Sequence, residues 1–294
     1  GGPAPRSLMS PAYNAGPSSR DTAMANLKYK LESDHALALN AAHAGGMVAK
    51  SFFRGHFEVY EKKPGDPVSD ADIAVNKKIV SIIRTSRPHD TFISEEMPLP
   101  SKRSEAKRVW IIDPIDGTKA FIEGIAEFAI SIALVCNQES IAAAVYNPIT
   151  DQLFDAFKGG GTRLNGKKVA TSNVSALPDL VLGTSKNELR QQLWSHLFPE
   201  AILRQVDAIA YKLALVAAGK LDGVIAFRPK SDWDIAAGDL LVREGGGIMT
   251  DIVGTPHKYN QNNILHENLI ASGAAIHPVL LERVKTGAPK STRV

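Results

Sequence analysis

Trp110-Ile-Ile-Asp-Pro-Ile-Asp-Gly-Thr118 is the stretch on which the reading of this chain turns. An apolar strand, Val109 to Ile112, runs into two carboxylates three residues apart, Asp113 and Asp116. Pro114 lies between them and Gly117 follows. Proline restricts φ and glycine admits a tight turn, so the segment can aim both acids at one point. Like charges held together are costly, and a hard divalent cation relieves that cost. Several carboxylates with water suit magnesium. In isolation, an Asp-Pro turn with Asp116 capping a helix explains the same residues equally well.

Three further pieces carry acids at element ends. Ile93-Ser94-Glu95-Glu96 closes another apolar strand, and an exposed strand end would account for it alone. In Asp232-Trp-Asp-Ile-Ala-Ala-Gly-Asp239, Asp234 falls in the first turn of a helix, where a carboxylate suits the helix dipole. Capping alone would explain it. In Pro67-Val-Ser-Asp-Ala-Asp72, Ser69 and Asp72 form a variant capping box; alternatively, Asp72 polarises a hydroxyl or a water.

Outward from these pieces, apolar periodicity predicts a long helix from Leu27 to about Phe53, weakened locally by Gly45-Gly46. A strand at His56 to Tyr60 and a loop over Lys63 to Pro67 lead to a helix from Asp70 to Thr85, which Pro88 stops. Phe128 to Val135, Ile141 to Tyr146 and Gln152 to Phe157 read as strands, and Gly159 to Gly166 as a hairpin. After about Ser172 the texture alternates: strands at Leu180, Gly223 to Phe227 and Ile248, with helices at Glu188 to Leu197, Ala208 to Ala218 and Ile235 to Glu244. The expected organisation is a leader over 1–24, an α+β half over 25–172, an α/β half over 173–286 and a tail over 287–294.

The chain has 294 residues, 44% of them hydrophobic, enough for a sizeable core. A net charge of +3 with interspersed signs is no nucleic-acid signature. Short basic pieces, Glu61-Lys62-Lys63 and Lys167-Lys168, read as solvated turns. The lone cysteine, Cys136, reads as a small buried hydrophobe, and a reducing cytoplasm is the expected location. No apolar run reaches the roughly 18–20 residues that span a membrane.

Together the four acidic pieces, with the Gly-Gly-x-x-x-Asn-Gly turn at Gly160 to Gly166, resemble the inositol monophosphatase superfamily of metal-dependent phosphatases. They occur in its order and near its spacing over about residues 27 to 285. The resemblance implies a layered α-β-α-β-α sandwich of α/β class, usually a homodimer, with two or three Mg²⁺ ions per site. It implies Glu95, Asp113, Asp116, Asp234 and the carbonyl of Ile115 as metal ligands. Thr118 and Asp72 would orient and deprotonate the attacking water, with Glu95 completing the catalytic set. Gly117 and Thr118 would offer amides to phosphate, and Glu96 would hold water behind Glu95. Lithium sensitivity follows on the same ground.

The implied activity is hydrolysis of a small phosphorylated metabolite, inositol 1-phosphate first. Departures from the inositol pattern keep a 3′(2′),5′-bisphosphate nucleotidase and a histidinol phosphatase open. Lys119 would favour a second phosphate. Phe227 stands where an inositol enzyme usually offers a carboxylate to sugar hydroxyls; it either lines the pocket, against an adenine or an apolar edge, or points into the core. Failing these two, discrimination falls to Lys186, Asp207 and Tyr211. A different class, a regulatory protein contacting the transcription machinery, is also open, since some bacterial members of the family look able to act so.

Overall fold

The computed structural model describes residues 19–190 and 196–287. Helix α1 (Ser19–Phe52) and helix α2 (Asp70–Ser86) form the first layer. Helix α1 starts earlier than the sequence suggests, taking in part of the expected leader; residues 1–18 and 288–294 lie outside the described residues. Gly45 and Gly46 do not break it. A Cβ on Gly45 would stand 2.8 Å from Ile79 Cγ1, and one on Gly46 would stand 2.5 Å from Tyr146 Cδ1. These glycines let α1 press against α2 and the sheet beneath, a gain that offsets the roughly 1 kcal/mol a helical glycine costs. Between the helices, β1 (Val59–Lys63) and β2 (Asp66–Ser69) form an antiparallel hairpin. The expected strand at His56 thus begins three residues later, and Asp66-Pro67 is strand rather than loop.

The second layer is a seven-stranded sheet in the order β3 to β9: β3 (Thr91–Ser94), β4 (Arg108–Asp116), β5 (Ala129–Cys136), β6 (Glu139–Asn147), β7 (Gln152–Phe157), β8 (Gly161–Leu164) and β9 (Lys167–Val169). Strands β3 and β4 pair in parallel and the remaining neighbours pair antiparallel. Side chains alternate between two apolar clusters. Trp110 and Ile112 join α1 and α2 on one face, while Val109 and Ile111 face the other. Burial on both faces is why these strands read as continuous apolar runs.

A second sheet has the order β11-β10-β12-β14-β13: β10 (Val181–Thr184), β11 (Ile202–Gln205), β12 (Gly223–Ala226), β13 (Gly247–Thr250) and β14 (Leu269–Gly273). Helices α5 (Ile209–Ala217) and α6 (Asp232–Glu244) contribute to the apolar cluster shared by the two sheets, and every residue of α5 is buried. Helix α7 (His277–Gly287) covers the outer face through Leu280 and Val284. The layers therefore run α-β-α-β-α. Two short helices, α3 (Thr118–Ile122) and α4 (Lys186–Arg190), border the site. The expected helix from Glu188 to Leu197 is described only as α4 and at residues 196–197; residues 191–195 lie outside the described residues.

Candidate active site

Strand β4 does not end at Ile112, where the apolar run stops. It continues to Asp116 through a bulge: Asp113 pairs with Ser131 and Asp116 with Ala129, so β4 advances three residues while β5 advances two. On a regular strand, residues three apart point to opposite faces. One extra residue restores the same face, and this brings the two carboxylates together. Pro114 sits within the bulge, where its missing N–H is tolerated. Gly117 has φ +93°, and a Cβ there would lie 2.9 Å from Ala208 Cβ, so a residue with a side chain would meet both strain and a clash.

The parallel pairing of Ser94 with Ile112 carries Glu95 up beside Asp113, and the Glu95 N–H donates to the Ile112 carbonyl at 3.3 Å. Asp234 enters from the first turn of α6, where Ser231 N–H donates to its Oδ2 at 2.6 Å. Oxygens of Asp113, Asp116 and Asp234 lie within 4.8 Å of one another. These three, with Glu95, Ile115, Gly117, Thr118 and Lys119, line one cavity of about 550 Å³.

A capping contact does not take a carboxylate out of the site's surroundings. Asp72 accepts at Oδ2 from Ser69 N–H (2.8 Å) and Ser69 O–H (2.6 Å), closing a capping box, while its Oδ1 faces Thr118 Oγ1 at 3.0 Å. Asp116 accepts from the N–H groups of Ile209 and Tyr211 at 3.0 and 3.1 Å, so it caps α5, a helix distant in sequence. Asp113 accepts from Ile115 N–H at 3.1 Å.

Two expectations are corrected here. Lys62 is no solvated turn residue: its Nζ donates to Glu95 at 2.6 Å and to Glu96 at 2.9 Å. Burial works against its charge, yet the two carboxylates outweigh burial and hold its pKa above the ordinary lysine value. Phe227, expected to line the pocket or point into the core, is half-buried against the outer apolar cluster that includes Leu180, Leu182 and Ile225, and the residues lining the cavity do not include it. Residues that sequence reasoning left out of the site also line the cavity: Arg190, Lys212, Arg228 and Lys230. Of the fallback residues, Lys186 and Asp207 line it, whereas the Tyr211 hydroxyl donates to Gln152 at 2.6 Å.

Burial, followed by the repulsion of neighbouring acids, pushes Asp113 well above the usual carboxylate range. Burial and the Asp234 charge push Asp116 up to about 7, and burial takes Asp234 to about 6. Such a set fits a divalent cation: all-oxygen donors, close together, short of positive charge. Linkage gives a test. Between about pH 4 and 7 the folded chain keeps protons that the unfolded chain has released, so the metal-free fold loses stability as pH rises through that window. A cation binds the deprotonated acids and reverses the loss. The expected result is a metal-free Tm lower at pH 8 than at pH 5, with a magnesium-induced rise in Tm that is larger at pH 8. A magnesium shift independent of pH would count against these acids as ligands.

Among the described residues no helix is long and apolar enough to cross a membrane. A model of the Inositol monophosphatase family matches residues 30–286. Nus factor SuhB of Escherichia coli strain K12 is 34% identical over 261 residues, 85% of this chain and 94% of that protein. Inositol-1-monophosphatase of Rhizobium meliloti is 37% identical over 220 residues, 72% of this chain and 82% of its own length. The crystal structure of extragenic suppressor protein suhB from Bartonella henselae matches with a TM-score of 0.78 at 32% identity, covering 87% of this chain and 99% of that one. With the matched segment spanning nearly all the described residues and the acids of three separate elements meeting in one cavity, this chain belongs to the inositol monophosphatase family.

Proposed function

We infer that the chain is a magnesium-dependent phosphomonoesterase acting on small phosphorylated metabolites, with inositol 1-phosphate as its reference substrate. The convergence of Asp113, Asp116 and Asp234 on one point carries this reading. Glu95 and the Ile115 carbonyl complete a donor set for two or three ions. Magnesium held there would neutralise the phosphoryl group and lower the pKa of an attacking water.

The chain's own groups supply the rest. Thr118 has one hydroxyl proton and two acceptors in reach, Asp72 Oδ1 at 3.0 Å and the Ile115 carbonyl at 3.1 Å. Donation to Asp72 frees the carbonyl for a cation and leaves Thr118 Oγ1 to accept from a water in the cavity. That water's proton can then pass through Thr118 to Asp72, whose pKa burial raises above the ordinary carboxylate value. Gly117 and Thr118 border the cavity where amides would meet phosphate oxygens.

Inositol 1-phosphate is the reference because the Rhizobium meliloti relative is named for it. The test is phosphate release from inositol 1-phosphate, adenosine 3′,5′-bisphosphate and histidinol phosphate, with and without magnesium. Magnesium-dependent release from at least one supports the reading. Absence of release from all three, in a folded magnesium-loaded protein, would favour the non-catalytic role that the name of the Escherichia coli relative keeps open.

A further inference from the structure

Away from the acidic site, a second cavity of about 300 Å³ lies between the β5–β6 turn, one flank of α6 and the segment joining β13 to β14. Its lining includes Glu139, Asp239, Arg243, His257, Lys258 and Tyr259. Among the described residues three buried side-chain polar atoms have no hydrogen-bond partner. Two of them belong to this lining: His257 Nε2 and the Tyr259 hydroxyl. Tyr259 is 0% exposed. Buried polar atoms in native proteins are nearly always partnered, so two bare ones on one cavity call for an occupant.

The contacts behind His257 set the polarity of its bare nitrogen. His266 Nε2 lies 2.8 Å from Asp232 Oδ1, where the carboxylate accepts, so that nitrogen carries a proton. His266 Nδ1 lies 3.1 Å from His257 Nδ1. With one proton on each ring, His257 Nδ1 donates to His266 and His257 Nε2 is left as an acceptor. Burial, then His266, holds the His257 pKa down to about 4; the Thr250 carbonyl and Asp251 oppose that shift without cancelling it, so the ring is neutral near pH 7.

The rest of the wall offers donors. Arg243 Nε donates to Asp239 at 3.2 Å and Nη1 to Glu139 at 3.4 Å, while Nη2 makes no hydrogen bond among the described residues. Burial, followed by the Asp239 charge, raises the Tyr259 pKa well above its ordinary value and keeps the hydroxyl protonated. Glu139 is also held by Lys158 at 2.7 Å. Lys258 is exposed and makes no ion pair among the described residues. Three cations, Lys158, Arg243 and Lys258, thus meet two acids, Glu139 and Asp239. The next acids, Asp251 and Asp232, do not line the cavity and are engaged elsewhere. Asp251 accepts from the N–H groups of Val253 and Thr255 at 2.9 and 2.8 Å, and Asp232 Oδ2 from Asn260 N–H at 2.7 Å. A fitting occupant carries one negative charge for the surplus donors and one hydroxyl proton for His257.

We propose that this cavity is an effector site for a small hydroxy carboxylate, and that its occupancy is coupled to the cation held by Asp234. The carboxylate meets Tyr259, Arg243 and Lys258, and the hydroxyl donates to His257 Nε2. Coupling follows from where the wall is anchored. Asp239 and Arg243 stand on α6, the helix that presents Asp234 in its first turn, and the His257–His266–Asp232 contacts reach the first residue of the same helix. An occupant that ties these points together holds the helix end in place and should tighten magnesium at Asp234. Binding in the cavity is independent of the phosphomonoesterase reading; the coupling rests on that reading's metal site.

The probes are L-lactate, propionate, which lacks the hydroxyl, and propane-1,2-diol, which lacks the carboxylate. Affinities are measured by titration of the whole metal-free chain, and the affinity for free magnesium is then measured with and without saturating lactate. Lactate should bind about 3- to 10-fold tighter than either of the other two. Tyr259→Phe and Lys258→Gln should each weaken lactate about 3- to 10-fold. Tyr259→Phe removes a hydroxyl that has no partner, so the Tm of the empty chain should not fall; Lys258→Gln changes an exposed side chain and keeps the fold in any case. Magnesium should bind about 3- to 10-fold tighter with lactate present. Lactate affinity equal to that of propionate and the diol, or unchanged in both variants, would overturn the site, leaving the cavity to water or lactate to the cations of the acidic site. Lactate bound here with magnesium affinity unchanged would overturn the effector role. If lactate binds and magnesium does not, the metal-site reading fails, and the coupling with it, while the binding site stands.

Discussion

Asp113→Asn is expected to abolish turnover while leaving the fold intact. The carboxylate is 1% exposed, sits in the β4 bulge and shares its surroundings with Glu95, Asp116 and Asp234. The amide replaces it at nearly equal volume, and its oxygen can still accept from Ile115 N–H, the contact Asp113 makes at 3.1 Å. What is lost is one negative charge and the capacity to serve two cations. Removing a group that merely supports a ligand costs about 10- to 100-fold in metal affinity or activity. Removing a ligand should therefore exceed about 100-fold in kcat and shift the magnesium dependence to higher concentration. Stability should move the other way. The burial of a charge and the repulsion that together push Asp113 upward disappear, so the metal-free variant should melt at or above the unsubstituted chain near pH 8, and its gain from magnesium should shrink. Activity within a few-fold of the unsubstituted chain at saturating magnesium would remove Asp113 from the ligand set.

How much of this could be read from the sequence depends on whether a feature is local. Strands β4, β5 and β6 were legible because burial on both faces makes them continuous apolar runs. The acids at Glu95, Asp113, Asp116 and Asp234 were legible through their occurrence together, since a turn, a strand end or a helix cap would explain each piece alone. The bulge was not, since it exists only in the pairing of Asp113 and Asp116 with β5. Period-two alternation puts Phe227 on the same side as Ile225, but which side faces the core depends on α7 and the outer cluster. Lys62 and Lys212 show the same limit. A lysine in a polar stretch looks solvated until the fold sets Glu95 and Glu96 beside Lys62, and one lysine in an apolar helix looks incidental until it lines the cavity. Capping against catalysis was posed as a choice, yet the two oxygens of Asp72 are separate acceptors, one closing the cap with Ser69 and the other facing Thr118.

That division of labour in Asp72 is what allows its role to be isolated. Thr118→Ala and Asp72→Asn should each lower kcat by roughly the 10²- to 10⁴-fold typical of lost general-base catalysis. The second change acts at the level of one proton. If the amide nitrogen turns toward Thr118, it donates where the carboxylate accepted and drives the hydroxyl proton to the Ile115 carbonyl, the oxygen needed for a cation. If the amide oxygen faces Thr118, the nitrogen faces Ser69 N–H, and the cap is lost instead. Either way the relay and the cap cannot both be kept. Ser69→Ala separates the two: it removes the 2.6 Å hydroxyl contact to Asp72 Oδ2, costs about 1 kcal/mol of helix capping, and leaves Oδ1 and Thr118 in place. A structural role for Asp72 predicts that Ser69→Ala and Asp72→Asn lower Tm and kcat in proportion. A proton-relay role predicts a lowered Tm with nearly retained kcat for Ser69→Ala, and a collapsed kcat for Asp72→Asn. Because Thr118 and Asp72 would act on one water, the double variant should be little slower than either single one. Losses that multiply would mean that the two side chains serve different steps, and the relay through Thr118 would have to be abandoned.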